Sequence, residues 1–191
     1  MEFSFPLLER FLRGYCYGAS YSKEWTVITG VSLDINDCIK YQGSKYVQSD
    51  ISDIFTDIQN KLASGKPVLF TGTPCQVAAV KLYLSHKKVD VRNLLTIDIL
   101  CYGVPSPQLW EDHIRHLEKK YGKLKEYNFR DERDGWSSTK YHCARFENGK
   151  ELYKSRELQA FSSLFDARKN MRESCFSCSF SDIHRCADIT I

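Results

Sequence analysis

Nowhere does this chain stay apolar for the roughly 18 residues that a membrane span requires, so no spanning helix is expected. Its first segment, MEFSFPLLERFLRGY, is amphipathic and broken by Glu9, Arg10 and Arg13, which argues against a secretory signal. Charge of one sign is scarce as well: 27 Lys and Arg mix evenly with 24 Asp and Glu, leaving a net of +3. So mild a balance argues against a nucleic-acid partner. Internal repeats, low-complexity tracts and long linkers are all missing. What remains is one domain of 191 residues, long enough for a full core and predicted to be cytoplasmic.

Cysteine, by contrast, is plentiful, at eight residues. Thiols stay reduced in the cytoplasm, so the pattern favours metal or redox chemistry over disulfides. Cys75 and Cys101 each close a short apolar run that reads as a buried strand, VLFTGTPC and LLTIDILC. Cys175 and Cys178 form a C-x-x-C pair in a polar segment near the end. Were the two strands parallel neighbours, their C-terminal ends would lie on the edge where open α/β sheets bind ligands. A C-x-x-C loop brought to that edge would complete a four-thiolate site for a metal or an iron–sulfur cluster.

Helical spacing is expected over Pro6–Arg13, a strand over Trp25–Leu33, and a helix capped by Ser49-Asp50 that runs to Leu62 and stops at Gly65. Two strand–helix units follow. Val68–Phe70 leads into a helix from Cys75 to about Ser85, and Leu94–Cys101 into one from Ser106 to about Tyr121. Both turns place Gly and then Pro ahead of the helix, where the missing Pro N–H costs nothing. Consecutive units of this kind imply a parallel pair. Tyr127–Arg130 and Lys140–Phe146 read as a hairpin around an Asp-Gly turn, Leu158 to about Arg168 as a helix, and Asp188–Ile191 as a strand. The predicted class is α/β: a mixed, partly parallel sheet flanked by helices, with an antiparallel hairpin. Ending inside an apolar strand predicts a fragment of a larger chain.

Cys75 stands at a helix N-terminus, where the dipole lowers a thiolate pKa and attracts anions. It reads as a cluster ligand, a reactive thiol, a phosphate cradle or a small packed thiol. C-x-x-C followed by Cys186 suits zinc as well as iron, although zinc sites usually use two close pairs. Gly43, Ser44, Lys45, Tyr46, Val47, Gln48, Ser49 and Asp50 can cradle a pyrophosphate before a helix, or form a plain turn and cap. Trp136 can stack on a flavin ring or cover a core edge. Cys16, Cys38 and Cys143 read as packing residues. His113 and His116 share a helix face among charges and read as solvated.

FTGTPCQVAAVKLYL, DILCYGVPSPQLWEDHI, FRDERDGW and RESCFSCSFSDIHRCADITI, with GSKYVQSDI upstream, resemble in order the beta subunit of coenzyme F420 hydrogenase/dehydrogenase. The resemblance runs from about Gly14 to Ile191. It implies an iron–sulfur flavoprotein oxidoreductase subunit that relays electrons between a 4Fe-4S cluster and FAD, and on to F420 or another organic acceptor. It further implies a redox partner protein: a ferredoxin, or a subunit of a hydrogenase or dehydrogenase. Carried over by motif, the cluster ligands are Cys75, Cys101, Cys175 and Cys178. The flavin contacts fall on Gly43, Ser44, Lys45, Tyr46, Gln48 and Ser49, helped by Gly72 and Thr73. Tyr102 departs from the His usual in relatives. An N-terminal ferredoxin-like segment is missing, and the family continues beyond the last Ile, so residues 1–191 read as one truncated domain. Two other classes compete: a zinc- or cluster-stabilised module that docks a redox partner, and a thiol enzyme that uses Cys75.

Overall fold

One mixed sheet is built from β1 (Tyr15–Tyr21), β2 (Val27–Ser32), β3 (Val68–Gly72), β4 (Leu94–Asp98) and β8 (Ile189–Thr190). Their spatial order is β2-β1-β3-β4-β8. The structure is a computed structural model and describes residues 10–11, 13–135 and 141–191. β1 and β2 make an antiparallel hairpin, while β1, β3, β4 and β8 run parallel. A second, antiparallel sheet joins β5 (Leu124–Asn128), β6 (Cys143–Phe146) and β7 (Glu151–Tyr153). Helices α1 (Ile54–Ala63), α2 (Pro74–His86), α3 (Pro107–Tyr121) and α4 (Arg156–Asp166) accompany them, with 3-10 turns η1 (Ile35–Tyr41) and η2 (Glu173–Cys175). The α/β class expected from the sequence is the class observed. Among the described residues no helix is long and apolar enough to cross a membrane.

Each helix forms where apolar residues recur at helical spacing, and that stripe finds the core. Ile54, Ile58 and Leu62 of α1 and Val77, Val80 and Leu84 of α2 bury against Tyr17, Val68 and Phe70 of the mixed sheet. Trp110, Ile114 and Leu117 of α3 pack with Phe161 of α4 against Tyr127, Phe129, Ala144 and Phe146. Truncating a fully buried Leu117 to Ala would cost about 2–5 kcal/mol. The buried Trp110 donates its indole N–H to the Trp25 carbonyl at 2.6 Å, which ties this second core to the β1–β2 hairpin.

Several expected boundaries move. β1 has no counterpart in the sequence reading, because Gly18-Ala19-Ser20 carries little strand propensity; packing decides instead. A Cβ on Gly18 would lie 2.6 Å from Tyr41 Cγ, so only glycine lets η1 cover this strand. Ser49-Asp50 does not cap α1. Asp50 pairs with the β2 edge (Asp50 N to Val27 O, 2.9 Å) and α1 starts at Ile54. β4 ends at Asp98 rather than Cys101, and β5 starts at Leu124 and ends at Asn128, sharing only Tyr127 and Asn128 with the expected Tyr127–Arg130. His113 is not solvated: it is partly buried against Trp110 and Phe161 and meets Tyr127 Oη at 3.2 Å, while His116 is exposed. Most of the helix expected over Pro6–Arg13, together with Trp136 and Lys140, lies outside the described residues.

Candidate metal centre

β3 and β4 pair in parallel from Val68↔Leu94 to Gly72↔Asp98. Cys75 and Cys101 each follow the last paired residue by three positions, so topology alone carries both to one sheet edge. Thr73, in extended conformation, turns the chain into α2, with Pro74 as its first residue and Cys75 as its second. Cys75 Sγ lies 3.2 Å from Thr73 Oγ1. Beyond β4, Ile99 N donates to Gly72 O at 3.3 Å and keeps the strand's extension beside β3. Cys75 and Cys101 are both exposed.

The C-x-x-C segment arrives by pairing with residues 104–106. Arg172 N donates to Val104 O (2.9 Å), Ser106 N donates to Asn170 O (3.1 Å), and Pro105 bridges Met171. Cys175 N then donates to Arg172 O at 2.9 Å, closing η2. Gly103 has φ +142°, a region closed to other residues, and a Cβ there would stand 2.1 Å from Met171 Cε and 3.5 Å from Cys175 Cβ. The glycine is what lets the two segments touch.

The C-x-x-C segment thus passes beside the stretch that carries Cys101. Cys101 is pushed above the ordinary thiol pKa, first by the protein packed around its inner side, then by repulsion from Cys75, Cys175 and Cys178. The other three predicted ligands therefore lie within electrostatic reach of Cys101. Among the described residues no three His, Cys, Asp or Glu side chains close on a point that holds a single ion. As a donor set, four thiols at one sheet edge suit soft metal chemistry: zinc, or iron bridged by sulfide. Cys186 points elsewhere, with its thiol 4.0 Å from Asp98 Oδ2. Its thiol lies 3.1 Å from the Pro74 carbonyl and packs into the α1–α2 core.

The expected flavin loop folds back beside this edge. Lys45 Nζ is capped by the carbonyls of Tyr41, Gln42 and Gly43 at 3.4, 3.0 and 3.3 Å, and burial lowers its pKa to about 8. It closes its own turn, so a free cationic arm for phosphate is not what this residue presents. Gly43 takes φ +76° at the start of that turn and Ser44 follows, half-buried. Tyr46 accepts from Arg130 Nε (2.8 Å) and packs edge-on against Phe129. Gln48 accepts from Arg172 (3.0 Å), linking the loop to the C-x-x-C approach. Ser49 is joined to Thr73 through buried Gln76. The Gln76 amide donates to Ser49 O (2.9 Å) and Oγ (3.0 Å), and its carbonyl accepts from Thr73 N (3.0 Å). Gly72 sits over that carbonyl, a built Cβ being 3.1 Å from Gln76 Oε1. Tyr102 accepts from Arg168 Nε at 2.6 Å, with the guanidinium 4.7 Å from its ring centre.

Gln76, Asp98, Arg172 and Arg185 lie inside the quoted motifs, but the sequence reading assigns them no role. Asp98 leaves the plainest signal: a carboxylate inside the apolar run LLTIDILC, fully buried in the fold.

Comparison with known proteins bears on the whole arrangement. Residues 65–191 match the family model for the C terminus of the beta subunit of coenzyme F420 hydrogenase/dehydrogenase. A chain of the F420-reducing [NiFe] hydrogenase complex from Methanosarcina barkeri is similar in fold, with a TM-score of 0.52 and 18% sequence identity. That match covers 90% of this chain and 55% of the other, so this chain spans little more than half the length of its structural relative. No curated protein sequence matches.

Proposed function

Because this chain belongs to the family formed by the C-terminal regions of coenzyme F420 hydrogenase/dehydrogenase beta subunits, we propose that it is an electron-relay module holding a 4Fe-4S cluster and FAD. The observation that supports this reading is that parallel pairing carries Cys75 and Cys101 to one sheet edge, while Gly103 admits the C-x-x-C segment beside Cys101. When bound, the cluster supplies one-electron transfer and the flavin couples single electrons to hydride exchange with an organic acceptor such as F420.

The chain's own part is to bind and orient. Cys75 ligates from the N-terminus of α2, as the second residue of that helix. Cys101 ligates from the extension of β4, and Cys175 and Cys178 from the loop that Gly103 admits. The Gly43–Ser49 loop, with Gly72 and Thr73, holds the flavin, and the N-terminus of α2 supplies N–H groups for an anionic portion. Gln76 fixes the loop against that helix. Leu100 and Phe176, each next to a predicted ligand, stand exposed and suit contact with a redox partner protein.

Protein prepared without oxygen tests the reading. The expected product is brown, carries roughly four irons per chain with matching sulfide, and retains or rebinds FAD. Colourless protein holding one zinc would overturn the cluster assignment, and an iron-loaded chain that binds no FAD would overturn the flavin assignment.

A further inference from the structure

Behind the thiol edge lies an ion pair with an unusual set of partners. Asp98 is fully buried at the end of β4, and the Arg185 side chain is 18% exposed, with its Nη2 3.3 Å from Asp98 Oδ2. The same Nη2 donates to the Ile99 carbonyl at 3.0 Å, and Nη1 donates to the Phe180 carbonyl at 3.2 Å. Ile99 stands two residues before Cys101, and Phe180 two residues after Cys178. One guanidinium thus grips both segments, each at the same short distance from a predicted ligand. The pair is imperfectly satisfied, since Asp98 Oδ1 and Arg185 Nε are buried without hydrogen-bond partners among the described residues. A buried ion pair is a poor source of net stability, because desolvation offsets its attraction. What it specifies is geometry, since a planar fork fixes the direction and spacing of its donors, which an ammonium on a flexible stem does not.

We infer that Arg185 is a positioning residue, anchored by Asp98, that clamps the Cys175–Cys178 loop onto the end of β4 so that Cys178 faces Cys101. The inference rests on the reading that these thiols serve one centre, and its test separates the two. The full chain is prepared without oxygen as wild type, as Arg185→Lys, and as the double variant Asp98→Asn/Arg185→Gln. The double variant removes both charges together and leaves no lone buried ion to unfold the chain. Arg185→Lys keeps the ion pair and loses the fork.

Two readouts are taken. In the metal-free state, a short bis-alkylating reagent, which loses one halide to each thiolate, bridges Cys101 to Cys178, and mass spectrometry locates and quantifies the bridge. In the loaded state, the paramagnetic spectrum of the reduced protein reports cluster geometry. The clamp predicts a several-fold loss of the bridge in the double variant and an intermediate loss in Arg185→Lys. It also predicts a broadened or shifted spectrum in both. Folded variants that bridge at the wild-type rate overturn it, whatever their iron content. A wild-type chain that holds no iron, yet loses its bridge on substitution, would sink the cluster reading and leave the clamp standing.

Discussion

Replacing Gln76 with Leu tests how the candidate cofactor loop is held. The substitution keeps shape and removes three hydrogen bonds: two donated to Ser49 at 2.9 and 3.0 Å, and one accepted from Thr73 N at 3.0 Å. Gln76 is 3% exposed and Ser49 8%, so water cannot readily replace the lost partners. Ser49 Oγ keeps Thr29 as a partner at 3.1 Å, but the Ser49 carbonyl and the Thr73 amide lose theirs. An orphaned buried polar group costs about 1–3 kcal/mol, so two put the total at about 2–6 kcal/mol, toward the low end because Thr73 is only half-buried. Equilibrium urea unfolding followed by tryptophan fluorescence measures it. Gln76→Glu adds a sharper arm. Its carboxylate still accepts from Thr73 but meets Ser49 O as acceptor against acceptor, which raises the Glu pKa. Protonation restores a donor, so this variant should regain stability relative to wild type as pH falls. If Gln76→Leu unfolds within about 0.5 kcal/mol of wild type, the loop is not held this way.

Two further predictions concern the cores around the site. His142, 1% exposed, faces Tyr127 Oη at 2.8 Å, and burial followed by repulsion from His113 lowers its pKa from 6.5 to about 4. The unfolded chain therefore binds the proton first. Stability is complete above pH 6.5 and falls as pH drops toward 4, with about 2 kcal/mol lost by pH 5. His142→Gln, which cannot titrate, should lose about 2 kcal/mol less between pH 7.5 and 5 in urea titrations; equal losses in both proteins would refute the assignment. Gly103→Ala should cost about 1–3 kcal/mol through its φ of +142° and lower the iron content by displacing Cys175, even if Met171 swings aside; normal values on both measures would count against the close approach.

Much of the site is legible in the sequence because parallel topology turns sequence offsets into spatial ones. Once β3 and β4 are read as parallel strand–helix units, Cys75 and Cys101 have to share an edge. The C-x-x-C pair is visible as spacing, but its arrival depends on Gly103 and on pairing between residues 104–106 and 170–172, and neither has a local signature. β1 escapes because Gly18, Ala19 and Ser20 are strand residues only by virtue of what covers them. Lys45 looks like a phosphate ligand by composition and instead closes its own turn. Asp98 and Arg185 sit far apart in sequence and meet only in the fold.

The central claim is that four particular sulfurs surround one inorganic centre, and a serine series read by iron content and the spectrum of the reduced protein tests it most directly. Cys75→Ser, Cys101→Ser, Cys175→Ser and Cys178→Ser should each lose or visibly alter the cluster, while Cys186→Ser, whose thiol is turned toward the Pro74 carbonyl, should keep a wild-type spectrum. A cluster that survives loss of Cys75 or Cys101 unchanged, or disappears with Cys186, would contradict the account.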